Sequence, residues 1–255
     1  MPNPTVALQL YTLRDYTKTP EDIAKTFKRV RSIGYTAVQC SALGKIDPKE
    51  LAQILKGEGL TCCATHIGLD RMKSDPQDII DEHKLWGCEY TAIGGWGWSD
   101  NVLSKWIEFA KEYSALAVKF AQQGLKVGYH NHSHEFIKAD GQVIYDALFQ
   151  NFDKSVWMEV DTYWIQHGGA DPVAWIKKVA GRIPCVHFKD MAISPERKQI
   201  MNPVGEGNLN WPGIMEACKE AGVKYAIVEQ DDCNGKDPFE CIATSLKNLK
   251  AWGWS

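Results

Sequence analysis

Short β-prone segments alternate eight times with longer amphipathic segments along the 255 residues of this chain. Strands that alternate with helices pair in parallel through crossover helices. Eight such units in about 250 residues predict an α/β fold, a (β/α)8 TIM barrel forming a single domain over residues 1–255. The predicted strands are Val6–Leu10, Thr36–Cys40, Leu60–His66, Tyr90–Gly94, Leu125–His130, Val156–Asp161, Ile183–Phe188 and Tyr225–Glu229.

The competing fold is an open doubly wound sheet. Such a sheet usually has fewer strands and often carries a glycine-rich phosphate loop after its first strand. Here the first strand runs into Gln9-Leu-Tyr-Thr-Leu-Arg14, which contains no glycine. The barrel is therefore the favoured fold.

Composition narrows the class of protein. With 44% hydrophobic and 24% charged residues, intrinsic disorder is excluded. A net charge of −3 gives no sign of a nucleic-acid partner. Apolar runs are too short for a membrane helix, and no signal peptide is evident at the N-terminus. None of the eight cysteines forms a CxxC pair, so we expect buried reduced thiols and a cytoplasmic protein.

Residues suited to chemistry lie where the predicted strands end, which is where barrel enzymes place their active sites. Asp161, His187 and Glu229 end three consecutive strands, and adjacent strands lie about 4.8 Å apart. These three side chains can therefore converge on one cation. Mixed oxygen and nitrogen ligands suit a divalent metal, Mn²⁺ first, with Zn²⁺, Co²⁺ or Fe²⁺ as alternatives. The strand ends carry Gln9, Gln39, His66, Gly94, His130, Asp161, His187 and Glu229.

The fifth strand leads into Tyr129-His-Asn-His-Ser-His-Glu-Phe136, which offers the fourth ligand. Side chains two residues apart on a strand point the same way, so His130 and His132 face one side. Glu135 can fold back over the site, and we expect it to be the fourth ligand, with His130 as the competing ligand. His132 is then a candidate acid–base group.

Several segments of the chain occur together in one known family: Leu8–Arg14, Gly128–His132, Glu135–Phe136, Glu159–Trp164, His187–Asp190, Gly205–Gly207 and Glu229. Together they resemble the sugar phosphate isomerase/epimerase superfamily of xylose isomerase-like barrels, over essentially the whole chain. The resemblance implies a divalent metal on Asp161, His187 and Glu229. In many members a glutamate on strand five itself is the fourth ligand, where this chain has His130, so a mechanism with two metal-bound glutamates does not carry over intact.

The resemblance implies an isomerase or epimerase of a small sugar or keto-sugar. The reaction would be proton abstraction next to a metal-chelated carbonyl, through an enediolate. His132, His130, Glu229 and His66 are candidate bases. The alternative is a lyase that dehydrates a keto-inositol or acts on a 3-keto-glycoside; a DNA repair endonuclease and a non-catalytic sugar-binding barrel are more remote. No phosphate-binding glycine loop is evident, so an unphosphorylated carbohydrate fits at least as well.

Further residues are expected around the substrate. Lys189 should face the same side as His187, either as a donor to a substrate oxygen or in a salt bridge. Glu159 is expected to be a buried acid paired with Lys or Arg lower in the barrel, and the segment Asp190–Asn208 is long enough for a lid. Exposed tryptophans at Trp252 and Trp254 would mark a homo-oligomer interface. Candidate substrate-binding residues, by hydrogen bonding or stacking, are Gln9, Tyr11, Trp96, Trp98 and Trp164; core packing or loop anchoring would equally explain Tyr11, Trp96 and Trp98.

Overall fold

The computed structural model describes residues 3–97 and 101–255. Eight parallel strands close into a barrel in the order β1, β2, β3, β4, β5, β8, β9, β12, and β12 pairs with β1. This confirms the predicted TIM barrel. The strands are β1 Thr5–Gln9, β2 Ala37–Cys40, β3 Thr61–His66, β4 Tyr90–Ile93, β5 Lys126–His130, β6 Lys138–Ala139, β7 Gln142–Val143, β8 Trp157–Asp161, β9 Cys185–Phe188, β10 Asp190–Ile193, β11 Gln199–Asn202 and β12 Tyr225–Val228.

The helices begin and end at residues that favour those positions. Asp47 and Asp237 accept backbone N–H bonds at helix starts, each followed by proline in the first turn. Gly34 ends the first helix with a φ of +117°, which suits glycine. The helices are α1 Pro20–Ile33, α2 Pro48–Glu58, α3 Leu69–Ser74, α4 Pro76–Trp86, α5 Leu103–Ala121, α6 Ile144–Asn151, α7 Thr162–His167, α8 Pro172–Lys178, α9 Trp211–Ala221 and α10 Pro238–Ala251, with 3₁₀ turns at Leu10–Tyr16 and His134–Phe136.

Two layers of inward-facing side chains fill the barrel. The lower layer is apolar and includes Ala7, Ala37, Ala64, Ile227 and the large indole of Trp157 in one buried cluster. Two residues further along the same strands, alternation brings polar side chains inward at the upper end. The interior is therefore apolar at its lower end and polar at its upper end, which is the end where barrel enzymes place their active sites.

The segment after β9, expected as a lid, folds into a hairpin of β10 and β11 followed by an ordered loop. The buried carboxylate of Asp190 accepts hydrogen bonds from the backbone N–H groups of Gly205 and Gly207 and from Nε1 of Trp211. A Cβ atom at residue 207 would lie 2.4 Å from Oδ1 of Asp190, so only glycine fits there. The two glycines thus wrap around one carboxylate.

The C-terminal tryptophans differ from expectation. Trp254 is fully buried, and its ring lies 5.6 Å from that of Phe188, so it belongs to the core and cannot mark an interface. Trp252 is exposed, at 41% of its surface. Within the described residues, no helix combines the length and apolar character needed to cross a membrane.

Candidate active site

Four buried side chains converge at the carboxyl ends of the strands: His130, Asp161, His187 and Glu229. One ligand atom from each lies within 4.8 Å of the others. Nδ1 of His187 is 2.9 Å from Oε2 of Glu229 and 3.7 Å from Oδ2 of Asp161. Nε2 of His130 is 3.3 Å from the same Asp161 oxygen. We call these four residues the ligand group.

The chemistry of the ligand group fits a divalent metal ion. Nδ1 of His130 is buried and makes no hydrogen bond with a described residue. Nδ1 of His187 and Oε2 of Glu229 are buried 2.9 Å apart, but neither atom meets the geometry of a hydrogen bond. A buried polar atom without such a bond costs free energy, which a bound cation offsets. Imidazole nitrogens combined with carboxylate oxygens suit first-row metals such as Mn²⁺ or Zn²⁺.

The structure differs from the sequence prediction at Glu135, which lies outside the ligand group. Its carboxylate accepts hydrogen bonds from the hydroxyl of Tyr129, at 2.8 Å, and from the backbone N–H of His132, at 2.9 Å. Burial raises its pKa to about 7, although these hydrogen bonds oppose the change. The 3₁₀ turn His134–Phe136 turns this carboxylate back on its own segment. The competing candidate, His130, is the residue that lies with Asp161, His187 and Glu229 in the ligand group.

Lys189 is buried among three carboxylates. Its Nζ lies 2.7 Å from Oδ2 of Asp231, 3.2 Å from Oε2 of Glu229 and 3.3 Å from Oδ2 of Asp161. Burial alone would lower the lysine pKa, but the three negative charges raise it above its ordinary value. The ammonium in turn holds the pKa of Asp161 and Glu229 low, against the effect of burial. The salt-bridge alternative describes Lys189 in this structure, and its side chain also lines the cavity described below.

Asp231 is a candidate functional residue that the sequence prediction did not include. Burial and the neighbouring charge of Glu229 raise its pKa to about 6, although Lys189 lowers it. A carboxyl group with such a pKa can exchange protons near neutral pH. In the sequence, the signal that could have identified Asp231 is its position two residues after Glu229, because side chains two residues apart in extended chain point the same way.

Glu159 has partners other than those expected. Its fully buried carboxylate lies 2.5 Å from Nε2 of His66, 2.9 Å from Nε2 of Gln39 and 3.3 Å from Nε2 of His187. Burial raises its pKa, but the electrostatic interactions and hydrogen bonds with His187 and His66 lower it more strongly, to well below its usual range. The predicted lysine or arginine partner is not found among the described residues, because the layer beneath Glu159 is apolar.

A cavity of about 550 Å³ opens onto the ligand group. This volume is in the range of small-molecule sites. The ring of Trp164 lies 5.2 Å from that of His132 and 5.3 Å from Nζ of Lys189, so an aromatic surface, an imidazole and a cation face the same space. The residues that line it include Tyr11, His66, His132, Trp164, Lys189 and Asp231.

The remaining predicted substrate residues lie in different surroundings. Gln9 is buried, and its Oε1 accepts the backbone N–H of Tyr11, while its Nε2 has no hydrogen-bond partner among the described residues. Trp96 stacks on Phe109, with ring centres 4.3 Å apart and planes at 7°, and is not among the described residues that line the cavity. This geometry favours the loop-anchoring alternative for Trp96. Trp98 lies outside the described residues.

Comparison with known proteins agrees with this geometry. Residues 27–252 match the family of xylose isomerase-like TIM barrels. The chain belongs to this family. A curated family relative, the inosose dehydratase of Clostridium beijerinckii, is 25% identical over 165 residues, which are 57% of this chain and 54% of that protein. The chain spans about half the length of the first curated relatives that it matches.

Solved structures share the fold of the family. A sugar phosphate isomerase/epimerase from Parabacteroides distasonis superposes with a TM-score of 0.82 at 22% identity, covering 98% of this chain and 95% of that chain. The IOLI protein with a bound zinc atom superposes with a TM-score of 0.70 at 14% identity, covering 96% of this chain and 97% of that chain. At these identities the likeness shows the barrel alone.

Proposed function

We propose that this chain is a metal-dependent lyase that removes water from a small polyhydroxy ketone of the keto-inositol type. The observation that carries the proposal is the composition of the ligand group, which holds one glutamate and has His130 in the strand-five position. An epimerase of this superfamily is expected to use two metal-bound glutamates, one on each face of the sugar carbon. Dehydration needs a single base and a proton donor for the leaving hydroxyl.

The names of curated relatives support the same choice. Several relatives between 22% and 25% identical to this chain are inosose dehydratases. The sequence alone favoured an isomerase or epimerase first and a lyase second. The ligand group and these relatives together reverse that preference.

The ligand group would hold Mn²⁺ as first candidate, or Zn²⁺, Co²⁺ or Fe²⁺. The solved barrel with zinc supports a metal in this kind of site. A divalent ion there supplies Lewis acidity, which polarises the substrate ketone and makes the adjacent C–H bond acidic.

The chain supplies the proton transfers. Nε2 of His66 lies 2.5 Å from the Glu159 carboxylate, which as an anion only accepts, so the neutral imidazole donates from Nε2 and carries its lone pair on Nδ1. Nδ1 then acts as the base that takes the proton next to the ketone. Asp231, with a pKa of about 6, gives a proton to the leaving hydroxyl, and the Lys189 ammonium orients that hydroxyl through its own N–H groups. The water released carries the proton of Asp231, and the proton taken by His66 passes to solvent, from which Asp231 is protonated again. The substrate thus loses one proton and one hydroxide, the elements of one water.

An isomerase or epimerase is the second candidate. His66 and Glu229 both line the cavity, so two proton acceptors border the substrate. If these act on opposite faces of one carbon, a proton can leave from one face and return to the other.

The reaction is tested with metal-stripped protein reloaded with Mn²⁺, Zn²⁺ or Co²⁺ and supplied with a keto-inositol in D₂O. We expect metal-dependent ultraviolet absorbance from an unsaturated ketone and a product lighter by one water, both strongly reduced in His66→Ala and Asp231→Asn. Deuterium incorporation without loss of water would instead establish the isomerase or epimerase. Absence of both changes with keto-inositols and 3-keto-glycosides would refute the proposed function.

A further inference from the structure

The carboxylate of Glu159 is buried at a position where the fold itself does not require a charge. It lies on β8 two residues before Asp161, directly above the apolar layer of the barrel. Among the described residues its ion-pair partners are histidines only. Because burying an ionised carboxylate carries a large desolvation cost, we expect the Glu159 carboxylate to be retained for its effect on the site above it.

The hydrogen bonds of Glu159 determine the orientation of Gln39. An ionised carboxylate only accepts hydrogen bonds, so the Gln39 amide must present its NH₂ group to Oε1, which is 2.9 Å away. The amide oxygen of Gln39 then faces His187, 2.7 Å from Nε2. Since an amide oxygen also only accepts, the proton of neutral His187 must be on Nε2. Its lone pair is therefore on Nδ1, the atom that faces Glu229 and Asp161 in the ligand group.

By the same rule, the second oxygen of Glu159 determines which ring nitrogen of His66 carries the proton. Oε2 lies 2.5 Å from Nε2 of His66, which must donate the proton. The His66 lone pair is then on Nδ1. This atom faces Gly94, where an added Cβ would lie 3.5 Å from it, and Gly94 lines the cavity. The same carboxylate thus acts on a residue of the ligand group and on a residue of the cavity.

We propose that Glu159 is a positioning residue that fixes the tautomers of two histidines: His187, through Gln39, for binding a first-row divalent cation at Nδ1, and His66 directly, for accepting a proton at Nδ1. The proposal deepens the proposed function and rests on it for the metal. Partners that orient metal-bound histidines typically change metal affinity by about 10- to 100-fold when they are replaced.

A second ion is the competing explanation for the same cluster. Ligand atoms of His66, Glu159 and His187 also lie within 4.8 Å of one another. An ion there would need the Nε2 lone pair of His187, the atom that already donates to Gln39. We therefore expect one ion per chain, and two ions in the wild type would overturn the proposal.

The test compares Glu159→Gln with Glu135→Gln, a matched change in another fully buried carboxylate. We expect Zn²⁺ affinity, measured by competition with a chelator, to fall about 10- to 100-fold in Glu159→Gln. In Glu135→Gln it should stay within about threefold, because Glu135 bonds Tyr129 and His132 and no member of the ligand group. Side-chain ¹⁵N NMR should show His66 protonated on Nε2 in the wild type and losing that preference in Glu159→Gln.

A rescue variant separates positioning from general damage. Adding Gln39→Glu to Glu159→Gln exchanges the carboxylate and the amide. The carboxylate at position 39 accepts from Nε2–H of His187 and from the NH₂ group of the amide at position 159, whose oxygen then faces Nε2 of His66 and can accept its proton. Zn²⁺ affinity and the His66 NMR signature should therefore both recover in the double variant. Gln39→Leu provides an independent arm in the event that Glu159→Gln does not fold: it should weaken Zn²⁺ binding and leave the His66 tautomer unchanged.

Failure of this proposal can be told from failure of the proposed function. A wild type that binds no metal would refute the metal-dependent function, and the His66 tautomer, measured in metal-free protein, would still decide the role of Glu159. Unchanged His66 signals in a folded Glu159→Gln variant, or wild-type Zn²⁺ affinity in both Glu159→Gln and Gln39→Leu, would overturn the proposal.

Discussion

At the scale of single residues, burial and local charge move neighbouring acids in opposite directions. Asp161 and Glu229 face Lys189 and have low pKa values, whereas Glu135 faces neutral donors and has a raised one. Residue type alone cannot distinguish these cases. The difference follows from whether the carboxylate meets the Lys189 ammonium ion or, as at Glu135, a hydroxyl, a backbone amide and the imidazole of His134.

The pKa of Glu135 leads to a prediction about stability. Its value rises from an ordinary 4.5 to about 7 because of burial, so between these values the folded chain holds a proton that the unfolded chain has released. Its stabilising contribution is complete below about pH 4.5 and is lost as the pH rises through 7, a change of about 3 kcal/mol. Glu135→Gln should therefore remove a decline in unfolding free energy over that window, as measured by urea unfolding in metal-free protein.

His83 provides a control of opposite sign. Burial lowers its pKa to about 4, so its contribution is present above about pH 6.5 and is lost as the pH falls through 4. His83→Gln should lessen the loss of stability on acidification.

For Glu135, a Glu135→Gln stability curve parallel to the wild-type curve across pH 4.5 to 7 would show that burial does not raise the Glu135 pKa.

At the scale of elements, the strand ends were predictable and the loops were not. Period-two alternation places Asp161, His187 and Glu229 at the carboxyl ends of adjacent strands in any parallel barrel. The hairpin of β10 and β11 depends instead on Asp190, whose hydrogen bonds reach residues 15 to 21 positions away. The position of Glu135 depends on a three-residue 3₁₀ turn. Neither arrangement leaves a periodic pattern in the sequence.

The Asp190 carboxylate should hold the loop after β11 in place. Asp190→Ala leaves the backbone donors of Gly205, Gly207 and Leu209 and the indole of Trp211 without their acceptor. We expect unfolding free energy to fall by about 4 kcal/mol and hydrogen exchange to increase over residues 203–211. Asp190→Asn keeps one acceptor oxygen and should lose about half as much. An Asp190→Ala variant within about 0.5 kcal/mol of the wild type would contradict this role.

At the scale of the whole molecule, the barrel explains how residues distant in sequence meet. His130 and Glu229 are 99 positions apart in the chain, yet parallel pairing around a closed sheet brings both to one end of the barrel. Among the described residues at this end, Lys189 is buried against three carboxylates, those of Asp161, Glu229 and Asp231, and this excess of acids favours a cation. The eight strand–helix units of the sequence predicted this convergence, because the carboxyl ends of all strands meet at one end of a (β/α)8 barrel.

The most direct test of the account is the metal content of purified protein, measured by mass spectrometry together with five alanine variants. We predict about one first-row divalent ion per chain in the wild type and in Glu135→Ala, and loss of that ion in His130→Ala, Asp161→Ala, His187→Ala and Glu229→Ala. Retention in His130→Ala with loss in Glu135→Ala would contradict the ligand group described here. A wild type that stays without metal after reloading would show that these four residues do not hold a metal ion.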